Sequence, residues 1–420
     1  MTNNKPLHRT VLDNGITLIA VENPAADIIA ARLFFKAGSR WEPRNKAGQA
    51  HLLSNVLTKG TSQLSASEIA EKIESIGASV GADAAADYFL VSAKTVSADF
   101  SSILHLVGEI LRSPSFPESE VQLERNLTLQ NIRSQQEQPF NVAYQQLREA
   151  MYPNHPYGVS TLGTAATVAD LTREDLQQHH QTYIRPDTLT IALSGRITPD
   201  DALSLVETVF SDWKAPSAPV PAPQLAAIAP NPTRHLKPQQ TQQAIVILGY
   251  LTAPVHHEDY IPLKLLSTYL GNGLSSRLFV ELREKRGLAY DVSAFYPTRL
   301  EASQFVAYIG TAPDNTATAL DGLRAEVQRL CETQLAPEEL QAAKNKLLGQ
   351  YALGKQTNAE IAQTYGWYET LGVGIDFDET FQETIRQITP ERAREVACRY
   401  FSQGPYISLV GPGDAIENAN

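Results

Sequence analysis

The side chains able to do chemistry in this 420-residue chain are few, and their spacing limits what they can do. Adjacent histidines occur twice, at His179–His180 and His256–His257. Neighbours at i and i+1 point apart on a helix or a strand, so neither pair can close on one metal ion, and solvent-facing roles are expected. The two cysteines, Cys331 and Cys398, provide neither a disulfide framework nor a ligand cluster. A third group lies in LGNGLSSRLFVELREKRGLAYDVSAFY, 270–296. There 275–286 reads as a helix, with Leu278 and Leu282 one turn apart and Gly287 as its stop. Tyr290, Val292, Ala294 and Tyr296 then alternate as a strand. Arg283 in the last helical turn and Tyr290 at the strand start project toward one crevice. The plain alternative is that Arg283 caps a helix C-terminus and Tyr290 is half-buried packing.

These groups need a scaffold, and the chain is long enough for two domains of about 200 residues each. Hydrophobic content of 43% with 19% charged residues fits an ordinary globular protein with two cores. A net charge of -11 disfavours a general nucleic-acid binder. The N-terminal MTNNKPLHRT lacks the apolar core of a signal peptide, and no stretch approaches the ~20 apolar residues of a membrane span. With the two unpaired cysteines, this reads as a cytoplasmic protein. Helices and strands interleave without a Gly-rich phosphate loop, which gives a nucleotide fold little support.

The clearest boundary is KAPSAPVPAPQLAAIAPNPTRHLKP, 214–238, whose prolines fix the backbone and remove amide donors. It separates a first lobe, 1–213, from a second, 239–420. The lobes resemble each other. FLVSAKTVSADFSSILHLVGEIL before SPSFPESEVQLERNLTLQNI is matched by FVAYIGTAPDNTATALDGLRAEVQRL before TQLAPEELQAAKNKLLGQ. Each lobe closes alike, with TLTIALSG and YISLVG, each preceded by a tyrosine (Tyr183, Tyr400). Such a long period means duplicated domains rather than a solenoid. Local signals agree: Ser65–Glu68 reads as a capping box before Ile69, Ile73 and Ile76, with Gly77 as stop. Short buried strands are expected at 88–91 and 245–248.

From Ala37 the chain reads AGSRWEPRNKAGQAHLLSNVLTKGT. This resembles the active-site segment of the pitrilysin/insulinase metallopeptidases, a family that includes the mitochondrial processing peptidases. Their helix carries H-x-x-E-H between Gly-Ser-Arg and Lys-Gly-Thr. The likeness continues through His155-Pro156-Tyr157-Gly158 and Leu162-Gly163 into the second half, over nearly the whole chain. It implies an α+β protein of two homologous lobes, each a mostly antiparallel sheet packed by helices, joined by the Pro-rich linker as a clamshell.

The resemblance also says where this chain departs from its relatives. Members hold zinc with two histidines at i and i+4, which a helix sets on one face, and a distant glutamate; a further glutamate is the base. Here His51 keeps the first ligand position. Ser54 stands at the base and Asn55 at the second histidine. In ERNLTLQN, Asn131 replaces the distant ligand while the supporting acid Glu124 remains. A lone imidazole does not hold zinc at useful affinity. His51 is expected to bond locally, with Glu124 or Asn131 as partners.

The second lobe matches the family's Arg/Tyr motif, L-R-x-x-x-x-x-x-Y, at Arg283 and Tyr290. The resemblance implies that Arg283 offers a forked cation to peptide carbonyls and Tyr290 a hydroxyl to the developing oxyanion. Some members divide the work, one subunit keeping zinc and the other the Arg/Tyr pair. This chain is expected to be the second kind: it holds no cofactor, its zinc-bearing homologous partner holds the metal, and unfolded peptide is the substrate. The peptide is expected to add as an edge strand at Gly77-Ala78-Ser79-Val80-Gly81, whose small residues leave room for a guest backbone. The competing reading is a non-proteolytic structural or binding protein of the same fold, like the core subunits of respiratory complexes. An active peptidase with relocated ligands finds no suitable His/Glu cluster.

Overall fold

The computed structural model describes residues 7–419, whose strands fall into two sheets. The first contains β1 (Leu7–Val11), β2 (Thr17–Glu22), β3 (Ile28–Phe35), β4 (Ser79–Ala84), β5 (Phe89–Val96) and β6 (Leu189–Gly195), in spatial order β1-β2-β6-β3-β5-β4. The second contains β7 (Arg234–Pro238), β8 (Ala244–Thr252), β9 (Asp291–Phe295), β10 (Ser303–Thr311) and β11 (Tyr406–Gly411), in order β7-β11-β8-β10-β9. Strand β2 is parallel to β6 and β7 to β11, and the other pairings are antiparallel. Leaving β1 aside, the two orders agree strand for strand and sense for sense. The duplication visible as a motif order is therefore a duplication of topology.

The helices, in chain order, are α1 (Gln49–Val56), α2 (Ala66–Glu74), α3 (Phe100–Arg112), α4 (Glu118–Glu137), α5 (Pro139–Met151), α6 (Ala165–Ala169), α7 (Arg173–Tyr183), α8 (Pro199–Phe210), α9 (Tyr260–Gly271), α10 (Thr316–Glu332), α11 (Pro337–Leu353), α12 (Asn358–Leu371), α13 (Phe377–Gln387), α14 (Pro390–Phe401) and α15 (Gly413–Glu417). Their starts are written locally. Ser65, Thr164, Thr172 and Thr357 each accept from a backbone amide three residues on in a reciprocal capping box. Gly77 follows α2 at φ 64°, as its stop requires. None of these helices is long and apolar enough to cross a membrane.

Alternation along the strands explains why each sheet is covered twice. In β2, Leu18 and Ala20 face the large core with α1, α3, α7 and α8, whereas Ile19 and Val21 face Ile361 and Ala362 of α12. Helix α12 lies across β3, β6 and β2, close enough that Gly366 has no room for a side chain beside Phe34 and Ala192. Helix α5 does the same for the second sheet, across β11 and β8, with Leu147 and Met151 filling the space over Gly249. The Ser408 hydroxyl bonds Gln146 there at 2.8 Å.

Each sheet thus takes its outer helix from the other half of the sequence. One compact unit comprises the residues through Ile132 with Ser160–Gln224 and Ala352–Ile375. The other comprises Arg133–Val159, Leu225–Tyr351 and the residues from Asp376 on. Contacts therefore divide the chain into interleaved segments, where the proline-rich run alone suggested a single cut. That run also ends differently from a plain linker, because 234–238 pairs in parallel with β11 as edge strand β7. Its charged residues and terminal Pro238 suit an edge. Strand β5 begins at Phe89 and runs on past 91 with its alternation, and β8 extends beyond 245–248 as a strand buried at nearly every position.

Candidate functional site

Helix α1 is placed by the short motifs around it. Gly48 precedes it at φ 96°, where a Cβ would lie 2.5 Å from the Leu162 carbonyl oxygen. Gly163, at φ 80°, approaches from the other side, where a Cβ would lie 2.2 Å from the Ala47 oxygen. The Leu162–Gly163 turn is thus seated on the turn that begins α1, and both positions need glycine. The buried Glu42 carboxylate accepts from the Gly48 and Ala50 amides at 2.9 and 2.6 Å, occupying donors the helix cannot use itself. Burial pushes Glu42 up to about 8 against these two amides. The Ser39 and Arg40 amides bond the Ala85 and Ala86 carbonyls at 3.0 and 2.9 Å, tying the Gly-Ser-Arg run to the β4–β5 turn.

On this helix the retained histidine is already engaged. Asn55 Nδ2 lies 3.3 Å from His51 Nε2, with the amide as donor and the ring nitrogen as acceptor. Burial holds the ring below the usual imidazole range, opposed by the charges of Asp83 and Glu124. Ser54 Oγ donates to the His51 carbonyl at 2.7 Å and is buried, so its hydroxyl is spent within the helix. Glu124 pairs with Lys59 at 3.0 Å, and Asn131 is exposed further along α4. The expectation that His51 would bond Glu124 or Asn131 is corrected: its partner is Asn55, one turn along the same helix. Glu124 acts on it only through its charge.

A zinc ion does not fit these groups. Among the described residues no three His, Cys, Asp or Glu side chains come together as a metal set. Beside His51 stand a neutral amide, Asn55, and a back-bonded hydroxyl, Ser54, neither an anionic or imidazole donor, and a cation, Lys59, pairs with the nearby acid Glu124.

The edge strand lies where its small residues pointed, with a shift in register. Gly77 and Ala78 belong to the turn after α2, and the paired strand is β4, so Ser79, Val80 and Gly81 are its first half. Strand β4 pairs with β5 alone, and its other edge carries no strand among the described residues.

In the second unit the helix expected at 275–286 is a π-helical stretch, Phe279–Glu284, in which the Lys285 amide bonds the Val280 carbonyl at 3.0 Å. Leu278 and Leu282 are fully buried, and Glu326 of α10 fixes the segment through Arg277 at 2.7 Å and Arg286 at 3.7 Å. The Arg283 guanidinium lies over the Phe279 ring, 5.0 Å from its centroid, and no carboxylate pairs with it among the described residues. Tyr290 is 58% exposed, its amide held by the Gly310 carbonyl at 2.9 Å at the head of β9. Arg283 is thus held by an aromatic face and Tyr290 is partly covered, with much of its ring open to solvent.

Two histidine expectations separate. His256 and His257 are exposed. His179 and His180 are buried instead, because α7 lies in the core beside α1. As adjacency demands, they point to different partners, His179 to the Ala37 backbone and His180 Nε2 to the Leu111 carbonyl at 2.9 Å. Burial lowers each to about 4. Sequence reasoning also missed that Cys331 and Cys398 are neighbours; helical phase could place each on a buried face but not bring the two helices together.

Two α+β units share one topology, with the His51 helix in the first and Arg283 and Tyr290 exposed in the second. Residues 17–165 match the model of insulinase, peptidase family M16, and residues 170–347 match that of the peptidase M16 inactive domain. The chain belongs to the M16 peptidase family. It is similar to an uncharacterized zinc protease of Bacillus subtilis, 27% identical over 97% of this chain and 98% of that one. It is likewise similar to one of Rickettsia felis, 27% identical over 96% and 97%. Among solved structures, the fold is shared with a peptidase M16 inactive domain from Pseudomonas fluorescens at a TM-score of 0.90, 24% identity, and coverage of 97% and 98%. It is also shared with a protease from Helicobacter pylori at a TM-score of 0.92, 22% identity, and coverage of 97% and 100%.

Proposed function

We propose that this chain is the non-metal, substrate-binding subunit of a two-chain zinc metalloendopeptidase, acting in the cytoplasm and lending Arg283 and Tyr290 to a homologous zinc-bearing partner. The observation that carries the reading is a contrast: Ser54 and Asn55 spend their polar groups on His51, while Arg283 and Tyr290 stand exposed on a built platform. Arg283 is already oriented by Phe279 and has donors to spare for the carbonyls of an extended peptide. Tyr290 donates its hydroxyl to the oxygen that gains charge as the scissile carbonyl is attacked, a contact worth about 10²- to 10³-fold in rate. The free edge of β4, with Ser79 and Val80 and the preceding Gly77 and Ala78, offers backbone partners to a peptide added as a strand.

The test is to purify the chain with and without a homologue carrying an intact H-x-x-E-H helix and assay both on unfolded peptides. The chain alone is expected to hold no stoichiometric zinc and to cleave nothing; the mixture is expected to cleave in a chelator-sensitive way. Arg283→Ala and Tyr290→Phe are each expected to slow the mixture at least about 10²-fold, chiefly in kcat. One tightly bound zinc per chain, or hydrolysis by the chain alone, overturns the reading. Unchanged turnover in both variants removes the pair from the mechanism and favours a structural role.

A further inference from the structure

Cys331 and Cys398, 67 residues apart, meet in the fold. Cys331 is in the last turn of α10 and Cys398 lies within α14, and these two helices pack together. The Cys398 thiol donates to the Cys331 carbonyl at 3.1 Å. That carbonyl is among the last of its helix, which have no partner of their own within it. The two thiols are also hydrogen-bond neighbours, and both residues are free and partly exposed. The chain has no other cysteine. Nothing in the proposed peptidase role uses them.

We propose that Cys331 and Cys398 are a peroxide-sensitive modification site, closing to a reversible disulfide that joins α10 to α14. Burial, foremost, and the adjacent thiol push Cys331 up, which makes it the poorer first nucleophile. Cys398 therefore reacts first. Its thiolate attacks one oxygen of hydrogen peroxide and the O–O bond breaks, leaving a sulfenic acid and a hydroxide that takes up the released proton as water. The Cys331 sulfur then attacks the Cys398 sulfur. The S–S bond forms, the S–O bond breaks, and the Cys331 proton leaves with the departing hydroxyl as a second water. Two thiols lose two electrons and one peroxide becomes two waters. A dithiol reductant reverses the bond by exchange.

The crosslink closes a loop containing α11, α12 and α13, so it restricts the unfolded chain as well as the folded one. It also secures α10, whose Glu326 anchors the π-helical stretch through Arg277 and Arg286.

The full chain should be treated with hydrogen peroxide or with dithiothreitol, then compared by intact mass, unreduced peptide mapping and urea unfolding. The expected result is a loss of two hydrogens, one peptide pair linking Cys331 to Cys398, reversal by dithiothreitol, and a higher urea midpoint for the oxidised form. Cys331→Ser and Cys398→Ser should each abolish the linked pair and the midpoint difference. An unchanged mass, oxygen-bearing sulfinic or sulfonic products without the linked pair, or crosslinks only between chains would each overturn the proposal. The mass of the unaltered chain decides the matter even where a serine variant folds poorly.

Discussion

At the scale of single residues, burial governs ionisation more than neighbouring charge does. His179 and His180 are the clearest case, because each ring is enclosed and each bonds a backbone carbonyl that needs only one ring proton. Their values in the fold, about 4, lie below the ordinary 6.5, so the folded chain favours the neutral rings. Their contribution to stability is complete above about pH 6.5 and is lost as pH falls toward 4, on the order of 3 kcal/mol for each ring. The histidines therefore pull the urea midpoint down across that window, against the opposite effect of the raised Glu42, and His180→Gln, which keeps a donor for Leu111, should make the midpoint fall less on acidification. An identical slope in the variant would show that other groups set the acid limit. Adjacency excluded a shared metal from the sequence alone. That these two rings are buried was not legible there, because it depends on α7 lying against α1, a contact between segments far apart in the chain.

At the scale of elements, what was legible is what is local. The Ser65 capping box and the Gly77 stop are decided by residues within a few positions of one another and appear as read; β9 keeps the alternation at Val292 and Ala294 but ends short of Tyr290 and Tyr296. The π-helical stretch was not legible. FVELRE has ordinary helical periodicity, and the wider turn is held by Glu326, reached by Arg277 from before the stretch and Arg286 from after it. Strand β7 was hidden for the same kind of reason, since RHLKP becomes a strand only by pairing with β11. Glycines in helices give a sharp test of element packing. A Cβ on Gly366 of α12 would meet the Phe34 ring at 2.6 Å, so Gly366→Ala should cost about 1–3 kcal/mol in urea unfolding. Gly349 of α11 has open space around it, and Gly349→Ala should stabilise by up to about 1 kcal/mol. Equal effects at the two sites would mean that α12 does not press on the sheet as described.

At the scale of the whole molecule, the family likeness over nearly all of the chain and the topological repeat point the same way. The interleaving of the two units was not legible, because α5 and α12 each look like an ordinary member of its own half. It makes a clear prediction about fragments. Residues 1–213 lack α12 and residues 239–420 lack α5, so each piece bares apolar sheet positions such as Ile19, Val21 and Ala192 in the first. Expressed alone, each should be insoluble or bind hydrophobic dyes; expressed together, they should copurify. Two well-folded, independently soluble halves would contradict the exchange.

The exchange of α5 and α12 also sets a timetable for synthesis. The last strand of the first sheet leaves the ribosome at Gly195, yet the helix that shields its outer face is made only when Asn358–Leu371 emerges. Throughout that interval the nascent chain carries a sticky apolar surface, and the eventual closure joins segments hundreds of residues apart, a slow and aggregation-exposed step. Yield in a cell should therefore depend on holdase chaperones and on uninterrupted translation, so that a ribosome stalled between the two halves leaves an adhesive intermediate rather than a finished first domain.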